Sequence, residues 1–418
     1  MKRLLVPVML LLALWACEKD PSPENPPEEP SQPSTPVTPE KPAGSGWETA
    51  DVAVRNMGAG WNLGNTLDSN SGAVDNMWIE AYTNRTPRDY ETAWGQPLTT
   101  RALIHMFKEA GFNAIRVPVT WYPHMGTVTL SGVNWDKSTW TGYDVDPTWM
   151  SRVKQVVDYV IDEDMYCIIN VHHDTGAAST AWLVAGEAGY DSAKERYESL
   201  WTQIATSFRD YGERLLFESY NEMLDPLSSW CFASFAAPGN YDEAVAASAY
   251  SAINSYAGLF TRTVRATGGN NASRNLIVNT YAACSGDGTW NTHLKDPLIR
   301  MELPEDPGHI ALEVHSYWDA DKFDSEKADI DRLFTNLDQY IVRRLGVPVI
   351  IGEWGGGSGE DSEANVRFAS YFSRKAKDAG IAAFWWMGLS DGNDRSVPAW
   401  TMPLTKDAIV TVYNENKN

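Results

Sequence analysis

The chain has 418 residues, with 34 basic against 55 acidic side chains and a formal net charge of −21. Such an acidic excess repels phosphate, so nucleic acid is excluded as a partner class while neutral polymers stay open. Four cysteines over this length exclude a disulfide scaffold.

In chain order, Lys2-Arg3 precede an apolar stretch from Leu4 to Leu14. It is too short to span a bilayer and has the form of a signal peptide over residues 1–16. The stretch ends in Leu14-Trp15-Ala16-Cys17. This resembles a bacterial lipobox, with Trp15 larger than usual, and makes Cys17 an expected acylation site. Residues 18–46 hold nine prolines and almost no apolar side chains. They cannot bury a core and read, with Cys17, as an extended tether over 17–46. At roughly 3 Å per residue it reaches up to ~90 Å. The globular sequence is 47–418, long for a plain barrel of about 250 residues.

Eight strand candidates follow: Met57–Thr66, Asn113–Trp121, Tyr166–Asp174, Leu215–Met223, Asn275–Ala282, Ile310–Trp318, Pro348–Gly355 and Ile381–Leu389. Most are apolar on both faces, as parallel strands covered by helices must be. Helical patterns lie between them at Thr99–Ala110, Thr148–Asp162, Ser192–Tyr211, Tyr241–Thr267, Asp329–Leu345 and Asp361–Ala379. Gly111, Gly212, Gly346 and Gly380 sit where C-caps are expected. Ala283–His309 reads as a long loop without a helix. Eight strand-helix units predict an α/β fold, a (β/α)8 barrel whose long βα loops form a substrate cleft. Cys167 reads as core packing. Cys231 and Cys284 fall in two loops, and the sequence leaves their pairing open.

The chemistry concentrates at strand C-termini, the active face of such barrels. Asn62 and Asn65, Arg116, His172-His173-Asp174, Asn221-Glu222, His315-Ser316-Tyr317 and Glu353-Trp354 all lie there. Glu222 and Glu353 each come shortly after a short apolar run, Leu215–Phe217 and Val347–Ile351. Two carboxylates in one cleft are the minimal machinery for breaking a glycosidic bond. Two like charges raise the pKa of one, and Arg116 holds the other ionised.

Gly60-Trp61-Asn62-Leu63-Gly64-Asn65-Thr66-Leu67-Asp68, Ile115-Arg116-Val117-Pro118, Val171-His172-His173-Asp174, Asn221-Glu222, His315-Ser316-Tyr317, Gly352-Glu353-Trp354-Gly355 and Phe384-Trp385-Trp386 carry a resemblance to glycoside hydrolase family 5. It runs from about Gly58 to Gly388. The first segment is most similar to the endoglucanase and xyloglucanase branches. Met223 replaces a frequent proline, and Met387-Gly388 replace a frequent Asp-Asn. The resemblance implies that Glu222 is the acid/base and Glu353 the nucleophile of a retaining mechanism. It also implies that Trp386 is a sugar platform and that His172 is the third-strand histidine of the site. Asn221 is placed to bond a substrate 2-hydroxyl. His315 can orient Glu222, and Tyr317 can donate to Glu353. His173 is either a site residue or a supporting histidine. Asn65 joins the set from the first strand.

Trp61, Trp121, Trp182, Trp230, Trp290 and Trp318 are candidate cleft residues. The long loops add Trp78, Trp94, Trp135 and Trp140. No metal is expected, because adjacent histidines on a strand point to opposite faces and zinc sites usually take three protein ligands. No cofactor is expected either. The expected function is that of an endo-acting β-glycanase on β-1,4-glucan or xyloglucan. A β-mannanase or mixed-linkage glucanase is the alternative within enzymes, and a glycan-binding lipoprotein without activity is the alternative outside them. The expected partner is a polysaccharide or oligosaccharide. The expected protein is a monomer in the bacterial cell envelope, meeting membrane only through Cys17.

Overall fold

The computed structural model describes residues 46–228, 241–287, 292–357 and 361–415. The expected leader, Cys17 and nearly all of the tether lie outside them, as do Trp230, Cys231 and Trp290.

Eight strands close a barrel. They are β1 (Ala59–Asn62), β2 (Ala114–Val117), β3 (Tyr166–Asn170), β4 (Leu215–Glu218), β5 (Leu276–Cys284), β6 (Ile310–Tyr317), β7 (Val349–Gly355) and β8 (Ala382–Trp385). Each pairs in parallel with its neighbours in sequence, and β8 pairs with β1. Helices Arg101–Ala110, Pro147–Ile161, Glu187–Ser207, Glu243–Ala266, Phe323–Leu337 and Glu363–Asp378 alternate with the strands. The (β/α)8 architecture is the one expected. Between β5 and β6, where a loop without a helix was expected, the described residues hold the one-turn helix Asp296–Ile299 and the short 3-10 turns Thr292–Lys295 and Pro307–His309.

The barrel interior is layered, because side chains two apart on a strand share a face. The lower layer is apolar: Ala114, Ile168, Leu216, Ile277, Ala311, Ile350 and Ala382 pack with Phe384 in one buried cluster. The chain covers it with a helix that the sequence reading missed, Ala50–Met57, which buries Ala50, Ala53, Val54 and Met57 against it. Met57, taken as the start of the first strand, ends this helix instead. Two residues further along the strands the layer turns polar: Asn62, Arg116, Asn170, Glu218, Asn279 and Glu313, all buried.

Most strands stop before the expected ends. Beyond Asn62, Val117, Asn170, Glu218 and Trp385 the backbone leaves the ladder to present polar side chains. Gly111 and Gly346 cap helices in the left-handed conformation, and Gly380 also has positive φ. Gly212 caps nothing, because its helix ends at Ser207. The connection between β2 and the helix Pro147–Ile161 contains two small antiparallel pairs, Met125–Thr127 with Thr141–Val145 and Leu130–Ser131 with Asn134–Trp135. Cys167 and Cys284 are buried.

Candidate active site

Arg116 organises the floor of the cleft and has no exposed surface. Its Nε and Nη2 donate to the two oxygens of Glu218, at 2.6 and 2.7 Å. Nη1 donates to Glu353 Oε1 at 2.8 Å and to Asn62 Oδ1 at 3.0 Å. Nη2 also donates to Asn221 Oδ1 at 2.7 Å. One guanidinium thus binds β2 to the ends of β1, β4 and β7. Its five fixed donors make Arg suited to this, where a lysine would not be.

Glu353, at the end of β7, takes a second donor on its other oxygen, the Tyr317 hydroxyl at 2.6 Å. Burial pushes its carboxyl up, but His315, Arg116 and the tyrosine outweigh burial and hold it below the usual carboxylate range. Glu222 stands in the loop after β4 with more of its side chain open, 22% against 6% for Glu353. Its Oε1 lies 2.8 Å from His315 Nδ1. One oxygen of each carboxylate lies within 4.8 Å of the other, with a His315 nitrogen in the same group. Burial opposes the charge on His315, yet Glu353, Glu222 and Glu313 push it up to about 10.

His172 Nε2 lies 3.9 Å from Glu353 Oε1, and its ring stacks parallel to Trp386 at 5.8 Å. Burial, then His173, Arg116 and His315, push it down, so it is neutral. Trp386 is half-buried, with its amide donating to the Trp354 carbonyl. A Cβ on Gly64 would come within 3.1 Å of the Trp386 ring.

The structure therefore brings together Glu222, Glu353, Arg116, Asn221, His315, Tyr317 and His172, with Trp386 beside them. His173 is a step removed, 3.7 Å from Asp68 Oδ2 and beside the Trp94 ring. Asn65 has positive φ, and its amide donates to Asp68. That contact ties it to the β1 loop.

Some expectations are corrected. His172 and His173 lie beyond the end of β3, so strand alternation does not separate them. Their rings are 4.4 Å apart, and Asp68 joins them in a group with ligand atoms within 4.8 Å of one another. Asp174 turns away and accepts from the amides of Trp121 and Tyr122 and from the Trp182 indole. Trp61 and Trp121 are fully buried, so neither is a cleft surface. Trp61 stacks on Phe107 and donates to the Met387 carbonyl; Trp121 donates to the Asn170 carbonyl. Trp135 and Trp140 are buried in the main core, Trp135 stacked on Tyr122 and Trp140 under the Arg196 guanidinium. Trp78, Trp94, Trp182 and Trp318 stay partly open. Burial and Glu218 push the Glu313 carboxyl up to about 7.

Sequence reading missed Glu218, Glu313 and Asn170 as parts of the site. Asn170 Nδ2 donates to Glu218 Oε1 at 2.9 Å and lies 3.0 Å from His172 Nδ1. The available signal was a lone polar residue inside each apolar run, as in Leu215-Leu216-Phe217-Glu218 and Ala311-Leu312-Glu313-Val314.

The comparisons agree with this geometry. Residues 79–391 match the model of Cellulase (glycosyl hydrolase family 5). Endoglucanase B of Clostridium cellulovorans is 33% identical over 81% of this chain and 68% of its own length. Endoglucanase A of Clostridium longisporum is 32% identical over 87% of this chain and 66% of its own. The chain thus spans about two thirds of these curated relatives. A solved broad-specificity GH5-4 endoglucanase from an uncultured bacterium is 49% identical, with a TM-score of 0.78, over 88% of this chain and 97% of its own. Prevotella bryantii PbGH5A, solved as a mutant in complex with a xyloglucan tetradecasaccharide, is 39% identical with a TM-score of 0.73, over 88% of this chain and 99% of its own. The chain belongs to glycosyl hydrolase family 5, the cellulases, and is a glycoside hydrolase.

Proposed function

We propose that the protein is a retaining endo-β-1,4-glucanase that accepts xyloglucan as well as unbranched glucan. The observation that carries the reaction type is the close approach of Glu222 and Glu353, within 4.8 Å oxygen to oxygen. Carboxyl groups about 5–5.5 Å apart leave no room for a water between them and suit double displacement. A glycan-binding protein without activity has no need of such a pair. The breadth of substrate is supported by the two relatives just described, one of broad specificity and one holding xyloglucan.

In this reading Glu353 is the nucleophile. Arg116 and Tyr317 keep it ionised and aimed. Glu222 protonates the departing oxygen, then deprotonates the water that releases the glycosyl-enzyme. His315 fixes the rotation of the Glu222 carboxyl. Asn221, held by Arg116, faces the 2-hydroxyl, a contact that strengthens in the transition state. Trp386 and His172 form the wall on which the sugar at the scission point stacks. His173 and Asn65, both tied to Asp68, support the neighbouring position.

The test is digestion of β-glucan, xyloglucan, mannan and xylan, followed by NMR of the first reducing ends. β-Anomers from glucan and xyloglucan are expected. α-Anomers appearing first would remove Glu353 from the nucleophile's role, and preferential release from mannan would overturn the substrate assignment.

We also propose that the barrel is held at the bacterial surface through an acylated Cys17 and the proline-rich tether. The support is the order of basic residues, apolar stretch, Cys17 and nine prolines in the sequence. Cys17→Ala should leave the membrane fraction while keeping full activity, because several acyl chains anchor firmly and the tether separates them from the barrel. Retention of the cleaved variant in the membrane pellet would contradict acylation.

A further inference from the structure

Glu313 stands on β6 two residues before His315, fully buried beneath the carboxylate pair. Its Oε1 lies 3.2 Å from His315 Nε2 and 3.4 Å from Arg116 Nη2. The barrel makes room for it at Gly352, where a Cβ would fall 1.8 Å from that same oxygen. Its other oxygen has no hydrogen-bond partner among the described residues. A buried carboxyl with a bare oxygen is costly, and a glutamine or a leucine would fill the space at lower cost. The carboxyl needs another reason to be there.

That reason lies in the two nitrogens of His315. Nδ1 faces Glu222 Oε1 at 2.8 Å, and Nε2 faces Glu313 Oε1 at 3.2 Å. A neutral imidazole donates from one nitrogen and turns a lone pair to the other neighbour. Only the imidazolium serves two carboxylates at once. We propose that Glu313 is a positioning residue that keeps both His315 nitrogens protonated, so that Nδ1–H stays directed at Glu222 through the working pH range.

The charged groups around the ring are Glu222 after β4, Glu353 on β7, Glu313 on β6, Arg116 on β2 and, behind Arg116, Glu218 on β4. Neutral His172 faces it from beyond β3. Arg116 is committed to Glu218, Glu353 and Asn221, so it does not neutralise Glu313 alone. Burial and Glu218 push the Glu313 carboxyl up to about 7, while Glu353, Glu222 and Glu313 itself push His315 up to about 10. The sign follows. Removing the Glu313 charge lowers the pH at which His315 loses a proton, and the alkaline side of the rate profile falls early.

The proposal rests on Glu222 as acid/base, but its first readout does not. Histidine side-chain 15N NMR of the full chain follows His315, assigned by the loss of its signals in His315→Asn. The wild-type ring should keep two N–H groups at pH 8. Glu313→Gln keeps an acceptor oxygen and removes the charge, so it should titrate at least about one unit lower, a tenfold change in proton affinity. The alkaline limb of kcat/KM should move by the same amount, with KM within about twofold. Glu313→Asp, which keeps the charge, should hold the limb near its wild-type position. A singly protonated wild-type ring at pH 8 overturns the proposal even if no variant folds. A folded Glu313→Gln with unchanged ring titration also overturns it. A shifted ring with an unmoved rate profile overturns the link to Glu222 and, with it, that residue's assigned role.

Discussion

Replacing Glu222 by alanine is expected to cut turnover on natural glucan by about 10²–10⁴-fold, the usual worth of general acid-base catalysis. The change removes a carboxyl that is hydrogen-bonded to His315 and partly open to the cleft. The fold should therefore survive it. On aryl glycosides with good leaving groups the loss should be smaller, because those groups depart with little protonation. The glycosyl-enzyme should then accumulate, and azide should restore turnover by attacking it and giving a β-glycosyl azide. Azide needs no deprotonation, so it replaces the water that Glu222 would have activated. Equal losses on activated and natural substrates, with no effect of azide, would assign Glu222 a structural role and leave the reaction without its acid.

The parts of this site that were legible in the sequence are those that break a local rule. Glu222 and Glu353 each come shortly after an apolar run, and a carboxylate there stands out. The eight strand-helix units were legible because parallel strands buried on both faces read as apolar runs. The strand ends were not: beyond Trp385 the backbone turns at Met387 with positive φ, which a methionine does not announce. The helix Ala50–Met57 was missed because its pattern runs directly into β1. It makes sense only against a barrel that needs its lower end closed. Trp61 and Trp121 looked like cleft surfaces because they sit at strand ends. Tertiary packing decides otherwise: Trp61 stacks on Phe107, and Trp121, beyond the end of β2, is buried with its indole donating to the Asn170 carbonyl. The polar layer was the largest omission. Asn170 and Glu313 each sit alone in an apolar run, Glu218 closes one, and each reads as noise one strand at a time. They form a pattern only once the register places them at one height around Arg116.

Replacing Arg116 by methionine is expected to be the most damaging single change to stability. The substitution keeps most of the volume but removes the cation that holds β2 to Glu218, Glu353, Asn62 and Asn221. Glu218 loses the Arg116 donors to both its oxygens and, among the described residues, keeps Asn170 and a long contact from Asn279. Glu353 keeps Tyr317 and the nearby His315. Stripping the partner from a buried charge costs about 3–5 kcal/mol. For a chain of this size that is a fall in thermal midpoint on the order of 5–10 °C. The pH dependence separates this account from a simple packing defect. In the wild type Glu353 is held below the usual range, so its contribution is present above the unfolded pKa and fades as pH falls. In Arg116→Met the buried Glu218 is left without its cation, a cost borne only while a carboxyl carries its charge. Both effects make the gap between the two proteins widest at neutral pH and narrowest near pH 4–5. Adding Glu218→Gln to Arg116→Met should recover part of the midpoint at neutral pH and almost none at pH 4–5, since it removes a charge that acid has already removed. A gap that is constant from pH 4 to 8, or a double variant no better than the single at neutral pH, would show that Arg116 acts through shape and that the charges around it are not what holds the site together.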